Sequence, residues 1–103
     1  MKKQKMRIEK DSLGTRSVPS AAYYGIETVR AIENFPISGL RFHPDFIWAL
    51  AVIKKACALA NWSLGRLDRR RAGAIVKACD EVMAGIHNEE FMTDALQSGA
   101  GVS

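Results

Sequence analysis

Two adjoining segments with apolar residues at steps of three and four limit the possible folds of this chain more than any other feature. This spacing places the apolar side chains on one face of an α-helix, so each segment is predicted to be a helix whose stripe lies in the core. The first covers residues 44–64 and the second residues 68–86, and a connection of about three residues makes them antiparallel neighbours. The stripes consist of Phe46, Leu50, Ile53, Cys57, Ala60 and Leu64 in the first helix, and of Ala72, Ile75, Val76, Cys79, Val82, Met83 and Ile86 in the second.

Residues that start and stop helices stand at the ends of both segments. Pro44 suits the first turn of a helix, Gly65 is a natural C-terminal stop, and Asp68 is the predicted N-cap of the last helix.

A short β-ribbon is predicted ahead of the helices. Arg7–Glu9 and Arg16–Val18 are two extended pieces with a turn at Asp11–Gly14 between them. Pro19 closes the ribbon because proline cannot continue a hydrogen-bonded ladder.

A further helix is predicted from an N-cap at Ser20 to about Phe35, where Pro36 ends it. The predicted fold class is therefore mainly α, with a short N-terminal β-ribbon and three helices near residues 20–35, 44–64 and 68–86.

Length and charge limit the classes of partner. With 103 residues the chain forms one domain at most, and it leaves apolar surface uncovered unless a partner covers it. The net charge of +4 arises in the first ten residues, and residues 1–6 form a basic leader. No aromatic residue interleaves with these lysines as a base-stacking site requires, so nucleic acid is not expected as a partner.

The sequence also argues against membrane, metal and cofactor sites. The opening MKKQKMRIEK lacks the apolar run of a signal peptide and no stretch reaches membrane-spanning length, which predicts a cytoplasmic chain. Cys57 and Cys79 are predicted to be buried thiols in a reducing compartment, and His43 and His87 stand alone. There is no Ser/His/Asp arrangement and no phosphate-binding glycine loop, so periodicity alone indicates a mostly helical fragment.

Four stretches, taken in their order along the chain, resemble a known family. They are RIEKDSLGTRSVPSAAYYGIETVRAIENFPISG at residues 7–39, VIKKACALAN at 52–61, AIVKACDEVMAG at 74–85 and QSGAGVS at 97–103. Together they resemble the amino-terminal region of the aspartase/fumarase superfamily, and aspartate ammonia-lyases in particular. Fumarases usually carry a serine at the position of Ala100. The resemblance implies the helical N-terminal domain of a fumarate-lyase-type fold over residues 7–103, truncated within the first active-site loop.

The activity implied by the resemblance is the reversible deamination of L-aspartate to fumarate and ammonia, without a cofactor, by a homotetramer. The general base of the family is a serine far downstream, so no catalytic residue is expected in this chain and the chain alone should be inactive. Two alternatives stay open. One is a fragment of a class II fumarase, which hydrates fumarate to malate. The other is a non-enzymatic helical binding module that holds nucleic acid or an acidic partner with its basic leader and the arginines of residues 66–71.

The resemblance implies that the glycine-rich loop binds the substrate carboxylate. Its residues are Gly99, Ala100, Gly101, Val102 and Ser103. Val102 stands where the family normally has a threonine, so the hydroxyl donor is lost unless Ser103 or a backbone amide replaces it.

Arg30 is a further candidate for substrate binding, followed by Arg16, because arginine can hold a carboxylate through two parallel bonds. The alternative for Arg30 is an ion pair with Glu33 or Glu27 on its own helix.

Overall fold

The computed structural model describes residues 4–97, which form two antiparallel strands and three α-helices. Their bounds are β1 Met6–Asp11, β2 Gly14–Pro19, α1 Ile26–Asn34, α2 Pro44–Ser63 and α3 Arg69–Met83, with a 3-10 turn at Asn88–Glu90. The predicted fold class is confirmed. The described residues divide into two compact units: unit 1 contains those up to Phe42 and from Glu89 onward, and unit 2 is His43–Asn88.

The ribbon of unit 1 has the predicted form. β1 and β2 pair with Arg7 opposite Val18 and Asp11 opposite Gly14. The turn between them is stabilised by the Leu13 amide, which donates to Asp11 Oδ1 at 2.9 Å. Gly14 has a φ of +118°, a conformation that side chains other than glycine rarely adopt.

The predicted start of α1 is wrong: Ser20 does not cap it, and the helix begins at Ile26 after Gly25. The Arg7 guanidinium binds the intervening backbone, so the carbonyls of Ser20, Ala22 and Tyr24 are bonded without a helix. Glu9 Oε1 accepts from the Ile26 amide at 3.0 Å and so provides the missing cap from a distant strand. The carbonyls bound by Arg7 are those of Pro19 at 2.9 Å, Ser20 at 3.1 Å, Ala22 at 2.9 Å and Tyr24 at 2.8 Å.

The residues predicted to start the two helices of unit 2, α2 and α3, are confirmed. Pro44 opens α2, and the preceding His43 caps it through Nδ1, which accepts from the Asp45 amide at 3.1 Å. Asp68 caps α3 by accepting from the Arg71 amide at 2.8 Å.

Each helix of unit 2 is followed, two residues after its last residue, by a glycine with positive φ, Gly65 at +73° and Gly85 at +80°. After α2, the Arg66 amide donates to the Asn61 carbonyl at 2.8 Å, and after α3 the Ile86 amide donates to the Glu81 carbonyl at 3.2 Å. These six-residue closures are Schellman motifs. Because of the second motif, α3 ends at Met83 and not at residue 86 as predicted.

The predicted core face of α2 is wrong. Phe46, Leu50, Ile53 and Leu64 are 48%, 41%, 57% and 67% exposed, and Cys57 is exposed as well, whereas Cys79 on α3 is buried as predicted. The buried residues of α2 lie roughly a third of a turn away on the helix surface. They are Ile47, Ala51 and Ala58.

Candidate functional site

Five of the seven candidate site residues, Gly99 to Ser103, lie outside the described residues. The other two lie in unit 1, Arg30 on α1 and Arg16 on β2. The functional geometry that the structure does describe concerns Arg30 and the segment that leads to the glycine-rich loop.

Arg30 binds a carboxylate of its own chain through two bonds. Its Nε donates to Asp11 Oδ2 at 2.7 Å and its Nη2 to Asp11 Oδ1 at 2.8 Å, with a third bond to the Gly14 carbonyl at 3.2 Å. The two side chains are only 12% and 16% exposed. Hydrogen bonding by Arg30 lowers the pKa of Asp11, and the same bonds raise the pKa of Arg30.

The expected ion pair of Arg30 with Glu33 or Glu27 is therefore not formed, because Asp11 at the ribbon turn occupies the guanidinium. Glu33 is bound by Arg16 at 3.2 Å, in a pair whose side chains are more than 40% exposed. The structure joins α1 to the ribbon through both arginines. Direct contact of Arg30 with a substrate stays a prediction.

Asp94, which the sequence analysis missed, has the most completely bonded carboxylate in the described part of the chain. Oδ1 accepts from Ser38 Oγ at 2.7 Å and from the Leu96 amide at 2.8 Å. Oδ2 accepts from the Ser38 amide at 2.7 Å and from the Gly39 amide at 3.0 Å. The Ser38 hydroxyl and then the Leu96 amide hold the pKa of Asp94 far below its usual range.

Backbone bonds reinforce this connection between residues 38–41 and residues 94–97. The Ala95 amide donates to the Leu40 carbonyl at 2.8 Å, and Arg41 and Asp94 form an antiparallel bridge. Asp94 itself is buried, at 8% exposed, whereas Ser38, Gly39 and Leu96, which donate to it, are exposed residues. The only local hint in the sequence is an acid between Thr93 and Ala95, shortly before the glycine-rich loop.

A cavity of about 300 Å³ lies beside this connection in unit 1. It is lined mainly by apolar side chains, among them Ile32, Phe35 and Met92, and Arg41 lies at its wall. Within residues 4–97, no group of histidines, cysteines or acids is arranged to hold a metal ion. In the same range, no helix combines the length and apolar character needed to cross a membrane.

Comparison with known proteins gives the class of this fold. A family model described as lyase matches residues 14–103. The chain is similar to a fumarate lyase:delta crystallin from Brucella melitensis, with a TM-score of 0.86 and 45% identity over 94% of the chain and 23% of that structure.

Two sequence relatives narrow the family. An aspartate ammonia-lyase from Bacillus is 52% identical over 95% of the chain, and a class II fumarate hydratase from Halobacterium salinarum is 56% identical over 94%. The chain covers 21% of the length of each relative. The chain belongs to the lyase family, in which it corresponds to the amino-terminal region of the aspartase/fumarase superfamily.

Proposed function

We propose that this chain is the amino-terminal part of an aspartate ammonia-lyase, which converts L-aspartate reversibly to fumarate and ammonia. The observation that supports the proposal is the 52% identity to the Bacillus aspartate ammonia-lyase over 98 residues, and because a fumarate hydratase is 56% identical, the choice between the two activities depends on the loop sequence. Ala100, where fumarases usually carry serine, adds support from the loop sequence. Because the relative is about five times longer, the activity is proposed for the longer protein, a cytoplasmic homotetramer without an organic cofactor.

The role proposed for residues 99–103 is to bind the substrate carboxylate. Removal of the proton at C3 places negative charge on the adjacent carboxylate, and donors fixed around that carboxylate stabilise the transition state. Backbone amides next to Gly99 and Gly101 suit this task because glycine allows close approach. The base that removes the proton is proposed to come from downstream of this chain, so the 103 residues alone have no activity.

Valine at position 102 lacks the hydroxyl donor of the family's threonine, so the loop is proposed to bind the substrate carboxylate less tightly than the family pattern would. In the full-length enzyme, Val102→Thr should lower KM for aspartate by about tenfold, the equivalent of one hydrogen bond to a charged group. An unchanged KM would mean that Ser103 or a backbone amide already provides this donor.

Arg30 is proposed to bind the substrate only if it first releases Asp11. Its two parallel bonds are directed at Asp11, so binding of substrate requires the guanidinium to exchange Asp11 for the substrate carboxylate.

The second candidate function is hydration of fumarate, supported by the 56% identity to the Halobacterium salinarum fumarate hydratase. The full-length enzyme should be assayed for fumarate by its absorbance, with aspartate and with malate in parallel. Fumarate from aspartate alone supports the proposal. Fumarate from malate alone assigns the protein to the second function, and no fumarate from either substrate contradicts both.

A further inference from the structure

One buried carboxylate joins two parts of unit 1 that lie far apart in the sequence. Asp94 accepts three bonds from Ser38 and Gly39, which precede it by 56 and 55 residues, and a fourth from Leu96 on its own side. Every one of the four bonds is 3.0 Å or shorter. The Ser38 oxygen also accepts from the Leu40 amide at 3.1 Å, which orients the hydroxyl toward the carboxylate.

This connection lies directly before the proposed substrate-binding loop. Asp94 is five residues from Gly99 in the sequence, and the bonds of Ala95 and Leu96 fix the intervening backbone to residues 38–40 or to Asp94 itself. The Asp94 carboxylate and the bond between the Ala95 amide and the Leu40 carbonyl therefore hold the backbone of residues 94–96 against residues 38–40.

We propose that Asp94 is a positioning residue for the substrate-binding loop: its carboxylate fixes the entry of the chain into residues 99–103. The proposal rests on the function proposed above. Loop amides that stabilise charge at the reacting carboxylate must be held in place before the reaction, and a displacement of about 1 Å can cost on the order of 100-fold in rate.

A carboxylate fits here because all four bonds run from donors to its two oxygens. Asparagine has one acceptor oxygen, and in either orientation its NH2 group would face at least one backbone amide that is itself a donor. Gly39 contributes a second requirement, because its φ of +71° presents its amide to Asp94 in a conformation that other residues rarely adopt.

The test compares three variants of the full-length enzyme. Asp94→Asn removes one acceptor oxygen, and Ser38→Ala removes only the hydroxyl donor, so it serves if Asp94→Asn does not fold. Asp80→Asn is the matched control, because Asp80 pairs with Lys55 at 2.7 Å in unit 2 and has no bond to residues 38–41 or 94–97.

The first measurement is hydrogen exchange of the peptide that covers residues 95–103, a readout that does not depend on activity. Exchange should be faster in Asp94→Asn and Ser38→Ala and unchanged in Asp80→Asn. If neither variant alters exchange, the positioning role is contradicted, whether or not the wild-type enzyme is a lyase. If the wild type does not act on aspartate while exchange changes as expected, the proposed function fails and the anchoring by Asp94 stands.

The second measurement is the kinetics of aspartate deamination per folded enzyme. We expect kcat to fall about 100-fold in Asp94→Asn and about tenfold in Ser38→Ala, while KM changes less than about threefold, because the affected charge develops in the transition state. The control should stay within about twofold of wild type. A lower melting temperature with unchanged kcat per folded enzyme would assign Asp94 to stability alone and overturn the proposal.

Discussion

Three carboxylates of unit 1 have a pKa that hydrogen-bond donors hold below its ordinary value. Hydrogen bonds from Arg7, from Arg30 and from the Ser38 hydroxyl are the largest causes that lower the pKa of Glu9, Asp11 and Asp94, respectively. In the unfolded chain the same groups titrate near pH 4. Because the pKa values of the folded state are lower, these groups contribute stability above the unfolded pKa and lose that contribution as the pH falls through the folded pKa.

Acidification should therefore destabilise the chain. The melting temperature of the chain should stay nearly level from pH 7 to about pH 5 and then fall steadily toward about pH 2, since the unfolded state binds more protons in that range. Asp94→Asn should reduce the slope of this fall. A melting temperature that is constant or rises on acidification would contradict the pKa directions given for these three groups.

A substitution of Arg30 can distinguish a role of this residue in stability from a role in substrate binding. Arg30→Lys keeps the charge but loses the two-bond geometry toward Asp11, so the melting temperature of the chain should fall. Arg41→Lys is the matched control, because Arg41 is exposed and has no ion pair within residues 4–97. In the full-length enzyme, an unchanged KM for aspartate in Arg30→Lys would speak against substrate contact.

At the scale of single elements, local signals predict an element only where no distant residue competes with them. Asp68 and Gly65 lie at the ends of helices because their partners are within a few residues. Ser20 has equally good local chemistry for a cap, but Arg7 binds the following carbonyls and Glu9 caps the helix at Ile26. These bonds connect β1 to residues 13 to 17 positions away in the sequence. A pattern read within a few residues of Ser20 cannot predict them.

The spacing of apolar residues also could not predict which face of α2 is buried. Apolar residues surround this helix, so the stripe at steps of three and four is only one of several apolar faces. The buried face is instead the one with Ala51 and Ala58, whose small side chains allow another backbone to come close. On α3 the same reasoning applies to Ala72, which is 2% exposed.

A larger side chain at Ala72 should therefore not be accommodated. Ala72→Leu should lower the free energy of unfolding by about 1–3 kcal/mol, the usual cost of overpacking a core. Ala78→Leu is the matched control on the same helix, because Ala78 is exposed and should change stability by less than about 0.5 kcal/mol. Urea unfolding measures both. Equal effects of the two substitutions would contradict the assignment of the buried face.

At the scale of the whole molecule, α2 presents an apolar stripe whose side chains are substantially exposed. Phe46, Leu50, Ile53 and Leu64 share one helix face and are all more than 40% exposed. The chain spans only 21% of the length of the curated relatives it matches, so most of the sequence of such a relative has no counterpart in this chain. The sequence identified the glycine-rich loop only through its resemblance to a family, and it missed Asp94 because its partners are 55 residues away.

The isolated chain should self-associate through this stripe, since contiguous exposed apolar surface promotes association. Sedimentation velocity should show a concentration-dependent increase in mass. Ile53→Asn, at a position that is 57% exposed, should reduce the increase, whereas Lys54→Gln on the adjacent exposed position should not. A monomer at every concentration would mean that the stripe is not an association surface.

The central claim, that the chain belongs to an enzyme joining ammonia to fumarate, is tested most directly in the reverse direction. The full-length enzyme is incubated with fumarate and 15N-labelled ammonium, and the products are identified by NMR. The account predicts that 15N-labelled aspartate accumulates and that malate does not. Malate as the product, with no nitrogen label incorporated, would contradict the claim and identify the enzyme as a hydratase.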